Sequence, residues 1–201
     1  WAQAAKSSEE IRTPWAQLRQ NARQFYPLHD RYAGGALNLQ LLAAIRTMAD
    51  RYLASLGYPE AAPELVPVDA SLSVPVYLEM KKSNGAPLLW VMLSASRESD
   101  AGILESNVFD GNIAEEDAFG AVHNDDLLEL KNEDLATQIL FGAAEPPRFL
   151  LFISLNQIAL IDRNKWSEKR YLQFELEDIF SRLELTTLQA MVVLLHKDSL
   201  C

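Results

Sequence analysis

Residues 149–161 leave this chain little freedom. Two apolar runs, 149–155 and 158–161, are parted by one polar pair, Asn156 and Gln157. Short runs rich in β-branched and aromatic residues, broken by a two-residue polar step, predict two strands joined as a hairpin. Residues 171–176 predict a third strand after a basic loop that contains Trp166. Residues 177–183 and 187–196 then carry helical spacing.

The N-terminal half supplies helices first. Thr13 and Pro14 form a helix start, a capping hydroxyl followed by a proline whose missing N–H costs nothing there. Trp15, Leu18, Ala22 and Phe25 follow at helical spacing, and Pro27 is expected to end or kink that helix. Gly34 and Gly35 mark a break. Residues 39–56 give the clearest helix: Asn38 can cap it, Leu41, Ile45, Met48, Tyr52 and Leu56 recur at three or four, and Gly57 is the expected stop. After a linker at 59–63, strands are predicted at 65–68, 74–80 and 88–95, the last two joined by a turn at Ser83, Asn84 and Gly85. A further helix is predicted at 127–141, broken near Asn132 and stopped at Gly142. The order predicts an α/β (α+β) fold, with N-terminal helices packed on a mixed, largely antiparallel sheet.

The chain's 201 residues can bury a sizeable core, so one domain with an appendage is expected. No apolar run approaches the roughly 20 residues of a membrane span. Cys201 stands alone, which excludes an internal disulfide and fits a reducing cytoplasm. The chain begins at Trp1 and not at Met, which reads as a trimmed piece of a longer protein.

The net charge of −10 argues against nucleic acid until its position is considered. Twelve carboxylates lie between Arg97 and Asp134, opposed only by Arg97 and Lys131. That excess of ten equals the whole net charge, so the rest of the chain is balanced. Residues 97–134 therefore read as an acidic loop, either solvated or a mimic of DNA charge that occupies a basic groove.

Chemistry-bearing residues fall into two groups. Asp69, Glu79 and Lys81 follow an Asp…Glu-x-Lys spacing. Carboxylates on neighbouring strands can hold Mg2+, and a lysine two residues after the glutamate leaves the same strand face, where it can orient or deprotonate water. The plainer reading is a solvated strand face that carries a common triplet. Arg148, Arg163, Lys165, Lys169 and Arg170 border the hairpin, with Trp166 and Tyr171 among them; basic and aromatic residues together suit phosphate contact and base stacking. The alternative is a solvated hairpin tip. Arg12, Arg19, Arg23 and Arg31 invite the same double reading. His29, His123 and His196 have no partner at ligand spacing and read as surface or capping residues.

The wording of residues 146–201 resembles the N-terminal region of large bacterial DNA methyltransferases of the type IIG restriction–modification kind and their phage-defence relatives, in which such a segment precedes the methyltransferase core. The resemblance covers roughly residues 13–201. It implies a helical arm at 1–35 and a nuclease-like but degenerate α/β domain at 36–201. It also implies a cytoplasmic parent that transfers methyl groups from S-adenosylmethionine to adenine N6 in DNA. DNA, the absent core and other defence subunits would be partners, and no membrane would be involved. The catalytic half is missing. No Asn-Pro-Pro-aromatic or Asp-Pro-Pro-Tyr motif exists, and no glycine-rich turn follows a strand. Glu145, Pro146 and Pro147 are no substitute, because Arg148 stands where an aromatic would stack on a flipped base. This piece is thus expected to hold no cofactor of its own. Its alternatives are a Mg2+-dependent endonuclease using Asp69, Glu79 and Lys81, and a protein-interaction module of a defence complex.

Overall fold

A computed structural model describes residues 13–32, 39–94, 102–106 and 130–201. Helices α1 (Pro14–Tyr32) and α2 (Leu39–Ser55) come first, followed by strands β1 (Glu64–Pro67), β2 (Ser73–Val76), β3 (Leu78–Lys81) and β4 (Pro87–Leu93). Helix α3 (Asn132–Gly142) precedes β5 (Phe149–Ile153) and β6 (Gln157–Asp162). The chain closes with α4 (Arg163–Trp166), β7 (Leu172–Glu175), α5 (Leu176–Arg182), α6 (Leu185–Leu195) and α7 (Lys197–Leu200). The fold is mixed α/β, as its element order predicts.

The hairpin at its centre forms as expected. β5 and β6 pair antiparallel, with Phe152 opposite Ala159 and Ile153 opposite Ile158. All of β5 and all but the last residue of β6 are buried, because the sheet is covered on both faces. Five strands run in the order β3-β4-β5-β6-β7, and only β4 and β5 are parallel. A parallel pair needs a crossover, and α3 lies on it.

Alternation along the strands sorts side chains into two cores. Leu89, Val91, Leu93, Leu151, Ile153, Ile158 and Leu160 face helices α1, α2, α5 and α6. Trp90, Met92, Leu150, Phe152, Ala159 and Ile161 face α3, the β1–β2 ribbon, Ile103, Leu104 and Trp166. Each fully buried large side chain contributes roughly 1.5–3 kcal/mol by leaving water. The result is three layers.

Four expectations change. Helix α1 runs through Pro27 to Tyr32. Pro27 and Arg23, whose carbonyl loses its partner, are both exposed, so water can take that carbonyl. Packing continues beyond the proline: His29 stacks on Phe25 with ring centroids 5.3 Å apart. Nor is α1 an arm, since Leu18, Ala22 and Phe25 lie in the same core cluster as the sheet. The strand predicted at 74–80 divides at Tyr77. β2 pairs with β1 in a separate two-stranded ribbon, and β3 joins the main sheet. Tyr77 marks the crossing point, its backbone N–H donating to Val91 O (2.8 Å) and its hydroxyl to Asp50 Oδ1 on α2 (2.6 Å). Finally, the acidic stretch is not all solvated. Ile103 and Leu104 are buried, while residues 95–101 and 107–129, including the predicted start of the helix at 127, lie outside the described residues.

The Asn84-Gly85 turn forms as predicted. Gly85 takes a positive φ of 84°, and Asn84 Oδ1 accepts from Ala86 N (3.1 Å). Gly57 likewise has φ 79°, and His196 packs so closely on it that a Cβ there would meet Nε2 at 2.8 Å.

Candidate functional site

The carboxylate group is only partly assembled. Glu79 and Lys81 do share a face of β3, with Lys81 Nζ 2.9 Å from Glu79 Oε2. Glu79 also accepts from Trp90 Nε1 at 3.0 Å and is 10% exposed. Asp69 takes no part. It closes the β1–β2 turn, where Oδ1 accepts from Ser71 N (2.7 Å), Ser71 Oγ (2.9 Å) and Leu72 N (2.9 Å). These bonds, the Ser71 backbone N–H foremost, hold its carboxyl below the usual carboxylate range. Local turn chemistry explains Asp69 without a metal. Lys81 is shifted the wrong way for a base: the hydrogen bond and charge of Glu79 push its ammonium up. Among the described residues no three His, Cys, Asp or Glu gather as a metal-holding group. The interior strand β4 offers no carboxylate either. It ends at Leu93, and the next residue, Ser94, is buried, its Oγ accepting from Asn132 Nδ2 at 2.9 Å.

The basic hairpin end is built differently from its sequence expectation. Arg148 lies 3.4 Å from Asp162 and 4.8 Å above the Phe149 ring. Arg163 donates to Pro146 O at 3.1 Å. Lys169 reaches Glu133 Oε1 at 2.6 Å, and Arg170 reaches Glu168 at 3.2 Å. Lys165 is exposed. Trp166 corrects the stacking expectation. Its side chain is 1% exposed, with Nε1 donating to Thr137 Oγ1 (3.1 Å) on α3, so no ring face is open to a base. Lys169 covers that ring at 4.7 Å, and its backbone takes a left-handed φ of 54°. Tyr171 stays 41% exposed. Adjacency in sequence could have foretold the Glu168–Arg170 pair. The Glu133–Lys169 pair spans 36 positions and left no local signal.

Asn132 was visible only as a helix break. It is fully buried at the start of α3, and its Nδ2 also donates to Ile103 O at 2.7 Å. The backbone N–H groups of Asn132 and Glu133 donate to Ser106 O and Leu104 O, so the turn at 102–106 satisfies the helix's first free donors. The histidines hold structural posts. His29 lies between Asp30 (3.5 Å) and Glu177 (3.7 Å), and His196 Nδ1 accepts from Asp198 N (3.2 Å) at the start of α7. His123 lies outside the described residues, as does Arg12.

Among the described residues, two surfaces have no internal partner. Helix α6 contains no charged residue, and Leu185, Val193 and Leu194 are exposed on it, Val193 to 66%. Arg19, Arg23 and Arg51 project into solvent from α1 and α2. No described helix is long and apolar enough to cross a membrane. No family model, curated protein or solved structure matches the chain.

Proposed function

We propose that this chain is a noncatalytic N-terminal module of a bacterial DNA adenine-N6 methyltransferase, serving restriction–modification or a related phage defence in the cytoplasm. In this reading it positions DNA, or packs on a methyltransferase core made by other polypeptide. The resemblance of residues 146–201 suggests the parent. One observation carries the noncatalytic part: Asp69 is committed to its own turn, while Glu79 on β3 is held by Lys81 of the same strand and by Trp90 of β4. Among the described residues no glycine-lined turn is offered to S-adenosylmethionine. The described strand-to-helix junctions, Asp162 to Arg163 and Glu175 to Leu176, lack the glycine that close approach to such a cofactor uses. That chemistry would belong to the core.

The test uses plasmid DNA with Mg2+ or Mn2+, beside Asp69→Ala. The expected result is no metal-dependent cleavage by either protein. Cleavage by the wild type that Asp69→Ala abolishes would replace this reading with the endonuclease. Methyl transfer to DNA by this chain alone would also overturn it. The uncharged, partly exposed α6 favours a second reading, an interaction module that docks another defence subunit through apolar surface.

A further inference from the structure

The two N-terminal helices carry five arginines against two aspartates, in a chain whose net charge is −10. Both aspartates are occupied elsewhere: Asp50 accepts the Tyr77 hydroxyl at 2.6 Å, and Asp30 lies beside His29 at the far end of α1. Arg31 and Arg46 have partners. Arg19, Arg23 and Arg51 are exposed, and no side-chain partner holds their guanidinium groups among the described residues.

These three arginines lie at one level of the helical layer. Arg19 and Arg23 are four apart, so they share a face of α1 with Cβ atoms about 5–6 Å apart. Between them in sequence, Asn21 turns inward and donates to Arg51 O (3.4 Å) and Ser55 Oγ (3.1 Å), which brings α2 alongside at Arg51. At the other end of the pair, Arg31 donates to Gln40, so the helices run antiparallel. Among the described residues, acid lies toward the C-terminal half of α1, where Tyr26 donates to Glu177 O and Glu177 faces His29.

We propose that this outer surface of α1 and α2, marked by Arg19, Arg23 and Arg51, contacts the phosphate backbone of duplex DNA. The inference rests on the DNA-positioning reading and adds where the contact lies. The local charge suits a polyanion, and free guanidinium groups need break no ion pair to meet phosphate. The acidic residues of 97–134 account for the whole net charge, so the value of −10 does not describe these two helices.

The experiment is anisotropy titration of a fluorescent mixed-sequence duplex with the full chain, from about 50 to about 200 mM salt. Arg19→Ala, Arg23→Ala and Arg51→Ala together are expected to weaken binding about tenfold or more at the lower salt. The slope of log K against log salt should shrink by about 0.9 for each phosphate that the protein no longer neutralises. Lysine at all three positions should restore most of the slope, since an ammonium also meets phosphate as a point charge. Arg170→Ala, which removes a guanidinium already paired with Glu168, should stay within about twofold of wild type. Matching circular dichroism melts show that the variants fold. If the wild type binds and the alanine variant binds equally well, the inference falls and the DNA reading stands. If the wild type does not bind the duplex, both fall. If the variant loses only binding to anionic lipid vesicles, the partner named here is wrong.

Discussion

The cations of the β6–β7 end and those of the α1–α2 layer are equally basic in sequence, yet they meet different surroundings. Around the hairpin, Arg148, Lys169 and Arg170 each face a carboxylate, and Arg163 is spent on a carbonyl. Between them Trp166 is sealed into the core. On the helices, Arg19, Arg23 and Arg51 face solvent. A basic residue therefore says little about a partner until its acids are found. Clustering with an aromatic marked the hairpin in sequence, but that aromatic turns inward and Lys169 closes over it.

The strongest way to break this contrast is Trp166→Ala. If the hairpin end is a structural lock, deleting a fully buried indole should cost about 3–5 kcal/mol, read as a lower urea midpoint with little change in slope. A loss under about 1 kcal/mol would mean that the ring is dispensable to the fold, and the stacking role would return. Arg23→Ala, on the other side of the comparison, should leave the midpoint almost unchanged.

Asn132→Ala sharpens the same contrast from beneath. It removes donors to Ser94 Oγ and Ile103 O, at a cost of about 1–3 kcal/mol. Because Asn132 anchors the helix turn that carries Glu133, amide hydrogen exchange at Leu135 and Ala136 should speed up, and the Lys169 contact should loosen with it. Amides of α1 and α2 should keep their protection relative to global unfolding. Equal loosening of both regions would show that the two faces of the sheet do not open separately.

The sequence shows some of these parts and conceals others. The strands β4, β5 and β6 were legible because both faces of the sheet are covered, which turns them into continuous apolar runs. Helices α1 and α2 were legible because one face is apolar and the other wet. The split at Tyr77 was not, since alternation continues through residues 74–80 while the pairing partner changes from β1 to β4. Glu79 and Lys81 were correctly placed on one face, because that needs only a period of two. The turn made by Asp69 was not legible because spacing along a chain does not report it: Ser71 and Leu72 donate to the carboxylate oxygen that the endonuclease alternative would give to a metal. Trp166 failed for a related reason. Its neighbours in sequence are charged, but its neighbours in space are Thr137 and the core.

The smallest effect separates the two cationic groups most cleanly. Lys169 and Glu133 are 58% and 39% exposed, so solvent screens their 2.6 Å contact. Lys169→Ala should then cost only about 0.2–1 kcal/mol at low salt. Part of that cost is ionic and should fade toward 1 M salt, where the screening length is about 3 Å. Arg23 has no ion pair to lose among the described residues, so Arg23→Ala should change stability by less than about 0.5 kcal/mol at either salt. Its effect should surface only when duplex DNA is added, as reduced stabilisation of the fold by ligand. Salt-dependent destabilisation by Arg23→Ala without DNA would reveal an internal acid partner and erase the distinction between the two regions.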